Sequence, residues 1–134
     1  MVKVVGPAPP PEEKPYLKLI EVTFPEEINL GEERTWSVKV QNVGAAGMCA
    51  VYFSVKSRPS GGKCYLTPVG GTTMEVPDYP VVAACPSKEL AKGETTYFSG
   101  SVKFDTAGGW TIVVGSGHIE GGRLVSDEER ILDG

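Results

Sequence analysis

Histidine is the side chain best suited to moving protons near neutral pH, and this chain carries one, His118. It stands in Gly115-Ser116-Gly117-His118, where nothing nearby supplies both a nucleophile and an orienting acid at a recognisable spacing. No catalytic residue is therefore assigned, the chain is not expected to be an enzyme, and His118 is expected on the surface. Gly115-x-Gly117 is not a phosphate-binding loop, because no helical period follows it.

Metal chemistry is equally thin. Asp127-Glu128-Glu129 offers carboxylate oxygens of the kind calcium takes, but alternate residues of a strand point to opposite faces. A calcium site would need Asp105, Glu120 and Asp127 to meet at one loop end. The simpler expectation is a solvated edge whose charges keep sheets from pairing with one another. Neither a resident metal nor a cofactor is expected.

The three cysteines, Cys49, Cys64 and Cys85, contain no C-x-x-C pair, which speaks against zinc. Cys49 shares parity with Val51, Phe53 and Val55 and reads as a small core residue. Cys64 and Cys85 both fall in an irregular stretch, where a cross-link would stabilise by roughly 3 kcal/mol through loop closure. A Cys64–Cys85 disulfide is expected, pointing to an oxidising compartment or a thermophilic cytosol.

The elements that must carry any site are strands. Residues 32–56 hold two runs of alternating polarity joined by Asn42-Val43-Gly44-Ala45-Ala46-Gly47. Trp36, Val38 and Val40 share one parity before the turn; Cys49, Val51, Phe53 and Val55 share one after it. A period of two on both sides of a glycine-bearing turn predicts an antiparallel pair. The same period recurs in Ile20, Val22 and Phe24, in Phe98, Val102 and Phe104, and in Trp110, Ile112 and Val114, which complete the predicted core. A two-residue turn at Gly121-Gly122 sets Glu120 opposite Arg123, Ile119 opposite Leu124 and Ile112 opposite Ile131, with Ile131 beside the core. That register brings Glu129 against Val114, so a bulge is predicted near residues 126–129. The fold class is all-β: an immunoglobulin-like antiparallel sandwich of seven to eight strands with a long irregular middle insert.

A chain of 134 residues is one domain with room for a real core. The net charge of -4 and pI near 5.0 exclude a nucleic-acid partner, whose phosphates demand a basic face. No stretch is apolar enough for membrane insertion. Residues 1–15, with Gly6-Pro7-Ala8-Pro9-Pro10-Pro11, read as a proline-rich tether, and residues 16–134 as the sandwich. Met1-Val2-Lys3-Val4-Val5 is too short for a signal peptide, so an extracellular domain would have lost its leader. The scarcity of asparagine and glutamine fits a thermophilic source.

The insert, residues 63–89, places Tyr65, Met74, Val76, Tyr79, Val81 and Val82 among prolines and glycines, where a plain linker would be polar. Some of these must pack as a lid over one sheet. The rest make a candidate recognition tip at Pro77, Asp78, Tyr79, Pro80 and Val81, because aromatic side chains flanked by rigid prolines lose little entropy on contact.

Three stretches carry a resemblance. Residues 31–44 (Gly-Glu-Glu-Arg-Thr-Trp-Ser-Val-Lys-Val-Gln-Asn-Val-Gly), 90–98 (Leu-Ala-Lys-Gly-Glu-Thr-Thr-Tyr-Phe) and 108–114 (Gly-Gly-Trp-Thr-Ile-Val-Val) resemble the landmarks of CARDB domains, bacterial and archaeal immunoglobulin-like modules. The longer insert and Ser126-Asp127-Glu128-Glu129-Arg130 depart from that pattern, and proteinase inhibitors of the BsuPI type share part of it. The resemblance implies a seven-stranded sandwich serving as an adhesive or spacer module at a cell surface, without catalytic residues. The expected function is thus a non-enzymatic binding or structural module with a protein or glycan partner. Its rivals are a virion or surface-filament subunit that self-associates through edge strands, and an inhibitor that uses the insert as a wedge.

Overall fold

The computed structural model describes Val2 and residues 14–133, so most of the proline-rich tether lies outside the described residues. Its regular elements are all strands: β1 (Leu17–Thr23), β2 (Arg34–Asn42), β3 (Gly47–Ser57), β4 (Cys64–Pro68), β5 (Met74–Glu75), β6 (Ala83–Ala84), β7 (Lys88–Leu90), β8 (Thr95–Phe104), β9 (Thr111–Glu120) and β10 (Arg123–Asp133). They form two antiparallel sheets, β1-β2-β8-β4-β5 and β10-β9-β3-β6, with β7 also on β3. The seven longer strands have the order of a constant-type immunoglobulin sandwich, and the three short ones belong to the insert.

The core lies where the alternation predicts. Trp36, Val38 and Val40 of β2 face Val51, Phe53 and Val55 of β3, and Trp36 meets Phe53 edge-on at 4.7 Å between ring centroids. The Trp36 indole N–H donates to the Ser101 carbonyl, so its polar end is satisfied. On β3 the outward residues Ala50, Tyr52 and Ser54 are buried too. The insert turn covers Ser54 through the Pro77 and Val81 carbonyls, and Ser126 and Glu129 of β10 meet the Tyr52 hydroxyl. Along the free edge of β3 the insert pairs Ala83 with Phe53 and Ala84 with Tyr52. The Tyr52 ring lies over Gly115 of the neighbouring β9, where a Cβ would overlap it.

Two bulges rewrite the expected faces. In β1 the register steps between Leu19, opposite Val40, and Glu21, opposite Lys39. The extra residue is Ile20, which is 39% exposed; Leu17 and Leu19 fill the core in its place. In the last hairpin, Gly121 and Gly122 adopt φ of 56° and 79° and pair Glu120 with Arg123 and Ile119 with Leu124, as their turn type requires. A bulge at Asp127, inside the predicted window, shifts the remainder by one residue. Ile112 therefore opposes Leu132, Glu129 opposes Gly115, and Ile131 is exposed rather than beside the core.

The expected Cys64–Cys85 disulfide is absent: all three cysteines are buried free thiols. Cys64 opens β4 in the first sheet, opposite Phe104, whereas Cys85 follows β6 and donates its N–H to Val51 in the second. Each is a core residue of its own sheet. Burial pushes both thiols up to about 12, so neither is a thiolate ready for exchange. Labelling under denaturing, non-reducing conditions should find three reactive cysteines per chain, and one would restore the bridge. Gly115→Ala, by displacing Tyr52, should lower stability by about 1–3 kcal/mol in denaturant titration.

Candidate functional site

Three places bring chemically useful groups together. The first is at the β9–β10 end of the sandwich. His118 has the inward parity of Val114 and Ser116 and is 4% exposed, which corrects the surface placement expected for it. The bulge in β10 turns Asp127 toward it, so that Asp127 Oδ2 lies 2.8 Å from Nδ1. Glu120 Oε2 lies 2.8 Å from Nε2, and its other oxygen is 2.9 Å from the Lys14 ammonium. An ionised carboxylate only accepts, so engaging both ring nitrogens makes the ring an imidazolium. Burial pulls the His118 pKa down, but the hydrogen bonds to Asp127 and Glu120, with their charges, hold it above its usual value.

Cys49 stands directly opposite His118 on β3, so the fold assembles a Cys–His–Asp set that no spacing in the sequence reveals. Its protonation states are wrong for nucleophilic catalysis. The Cys49 thiol is fully buried and pushed up to about 11, chiefly by burial, while both imidazole nitrogens are already taken.

Asp105 does not join Glu120 and Asp127. It sits before the start of β9, whereas Glu120 ends that strand, and it accepts from the Lys63 N–H at 2.7 Å and from Thr106. Those hydrogen bonds hold its carboxyl below the usual range. Among the described residues no three His, Cys, Asp or Glu side chains form a group able to hold a metal ion. The acidic run is not a merely solvated edge either. Asp127 accepts the Leu17 N–H at 2.9 Å, Glu128 accepts that of Leu19 at 2.7 Å, and Glu129 accepts the Tyr52 hydroxyl at 2.7 Å.

The second place is the insert tip. Val55 pins it from both sides, donating to the Pro77 carbonyl at 2.8 Å and accepting from the Tyr79 N–H at 2.9 Å. The turn closes from the Val81 N–H to the Asp78 carbonyl at 3.0 Å, around a cis Tyr79–Pro80 peptide. Ser54 donates to the Val81 carbonyl at 2.6 Å, and Asp78 pairs with Arg58 at 2.6 Å. The Tyr79 hydroxyl reaches Glu129 at 3.1 Å. Burial, with the hydrogen bond and charge of Glu129, holds the Tyr52 phenol beneath far above its usual range. Pro77 is half-buried and Pro80 exposed; Tyr79 and Val81 are 42% and 63% exposed. The insert is thus both a lid, through Val76, Ala83 and Cys85, and a presented turn.

The third place is one that sequence reasoning missed. Between the end of β1 and the base of β9 and β10 lies an open groove of about 750 Å³, with Phe24, Ile28, Phe104 and Trp110 in its lining and Leu30 and Ile131 exposed beside them. Glu26, Glu27 and Arg34 supply its charge. The residues come from three separate stretches, so no local pattern announces it.

No family model matches the chain, and no match is found among the curated proteins or the solved structures compared with it.

Removing Asp127 leaves the buried His118 without its ring partner and the Leu17 amide without an acceptor. Asp127→Ala should therefore cost about 3–5 kcal/mol by chemical denaturation. Asp105→Ala, at the opposite end and exposed, should cost far less.

Proposed function

We propose that this domain is a non-enzymatic binding module of a cell surface or extracellular assembly, of the kind the CARDB-like landmarks imply, and that it meets a protein or glycan partner through the turn Pro77–Val81. The observation that carries this reading is the combination at that turn: Tyr79, Pro80 and Val81 are exposed on backbone pinned by Val55 and Ser54. Most of the ordering entropy of such a surface is lost during folding rather than at contact, which favours recognition. The engaged imidazole and the protonated, buried thiols favour it over catalysis.

Self-association is a second reading, favoured by one arrangement. The turn lies along the β3 side of the second sheet, and the open groove lies beside β10, at the other edge of the same sheet. A protruding turn and an open groove of mixed polarity on different flanks would join copies head to tail into an open filament.

Ligands selected from peptide and glycan arrays on the native domain should be lost when Tyr79 and Val81 are both replaced by serine, and kept by Lys103→Ser on the other sheet. Ligands that survive the double substitution would move the binding face elsewhere. For the filament reading, light scattering should show concentration-dependent growth of the native chain. Val81→Asp and Leu30→Asp should each be monomeric alone and form a dimer when mixed, and a native chain that stays monomeric at high concentration removes this reading.

A further inference from the structure

We propose that His118 and its two carboxylates form a pH-sensitive latch that holds the start of β1, and the chain leading into it, against the second sheet. β1 is the edge of the first sheet, with β2 on one side and, among the described residues, no strand on the other. On that open side its backbone is held by side chains of the second sheet: Ser116 donates to the Leu17 carbonyl, Asp127 accepts the Leu17 N–H, and Glu128 accepts the Leu19 N–H. The residues just before β1 are tied to the same place. Lys14 pairs with Glu120, and the Tyr16 hydroxyl donates to Glu128 at 3.1 Å.

One oxygen links these contacts to the ring: Asp127 Oδ2 serves both the Leu17 N–H and His118 Nδ1. When the imidazolium gives up its proton, one ring nitrogen becomes an acceptor facing a carboxylate oxygen 2.8 Å away, in a site His118 barely shares with solvent. When the proton lost is that of Nδ1, the facing oxygen is Asp127 Oδ2; it must turn away or take up water, and its turn releases Leu17. The groups facing the ring are few. Asp127 comes from β10, Glu120 from its own strand with Lys14 behind it, and the neutral Cys49 thiol from β3; Lys88, paired with Cys49, sends its ammonium to the Tyr97 carbonyl instead.

The direction follows from the shifts. The folded ring holds its proton above the ordinary histidine value, so the latch is fully engaged below about pH 6.5 and is lost as the pH rises through the higher folded value. At the acid end Glu120, kept below its usual range by Lys14 and His118, stays charged until the pH falls through that lowered value. The latch is closed between the two, and opening is local: the β1–β2 ladder does not depend on it.

His118 is the sole histidine, so its ring titration is unambiguous by NMR. The protection of the Leu17 amide against hydrogen exchange, corrected for intrinsic rate, should fall about tenfold with the same midpoint, above pH 6.5, while the Val114 amide stays protected. Glu120→Gln, a change at the hairpin tip, should move both midpoints down together by about one pH unit. A ring that titrates at or below 6.5, Leu17 protection indifferent to that titration, or a Glu120→Gln shift in the ring without one in the amide would each overturn the proposal.

Discussion

An edge strand that closes a sandwich must satisfy its outward backbone groups without a neighbouring strand, and the structure depends on how β1 does so. Ser116, Asp127 and Glu128 take the place of a partner ladder, supplying one donor and two acceptors to Leu17 and Leu19. A buried backbone group left unpaired costs as much as a lost hydrogen bond, so these three side chains let Leu17 sink fully into the core. They also block the edge that another chain could add to. The bulge at Asp127 makes the arrangement feasible, because it breaks the alternation that would aim consecutive carboxylates at opposite faces. Asp127 and Glu128 then both serve β1, and Glu129 is left for the outer face with Tyr52 and Tyr79.

A second node works by the same rule at the β2–β3 turn. The Asn42 side chain is fully buried and meets its whole hydrogen-bonding capacity: its oxygen accepts from Tyr16 and Gly44, and its amide donates to Ala45 and Leu90. Three stretches, the start of β1, the turn at Gly44–Ala45 and the strand that ends the insert, are thereby held at one point. Asn42 and Asp127 grip the two sides of the segment Tyr16–Leu17, so the start of β1 is specified by one amide and one carboxylate.

The same economy shapes the insert. Its lid residues Val76 and Cys85 join the core beside β3, and hydrogen bonds to Val55 and Ser54 give the turn at Pro77–Val81 a rigid base on which to expose Tyr79 and Val81. A lid and a recognition turn are therefore not alternatives for this stretch. Lid residues flank the presented turn on both sides, and one set supports the other.

The amino-acid sequence by itself determined the fold class, because a period of two is a local property that survives any tertiary arrangement. It placed Trp36, Val38, Val40, Val51, Phe53 and Val55 in the core, set the Gly121-Gly122 turn with its first pairs, and marked the need for a bulge beyond it. What lay beyond local period was decided only by the tertiary structure. The bulge at Ile20 exchanged that residue for Leu17 and Leu19, since a one-residue step reverses every following face. Cys64 and Cys85 were assigned to opposite sheets rather than to each other. His118, read from its neighbours as a surface residue, was buried because Asp127, brought across a bulged hairpin, and Glu120, from its own strand, keep it charged inside the protein. Burial of that charge depends on how the bulge aims Asp127 at the ring, and although both acids are close in the chain, no local period announces that aim.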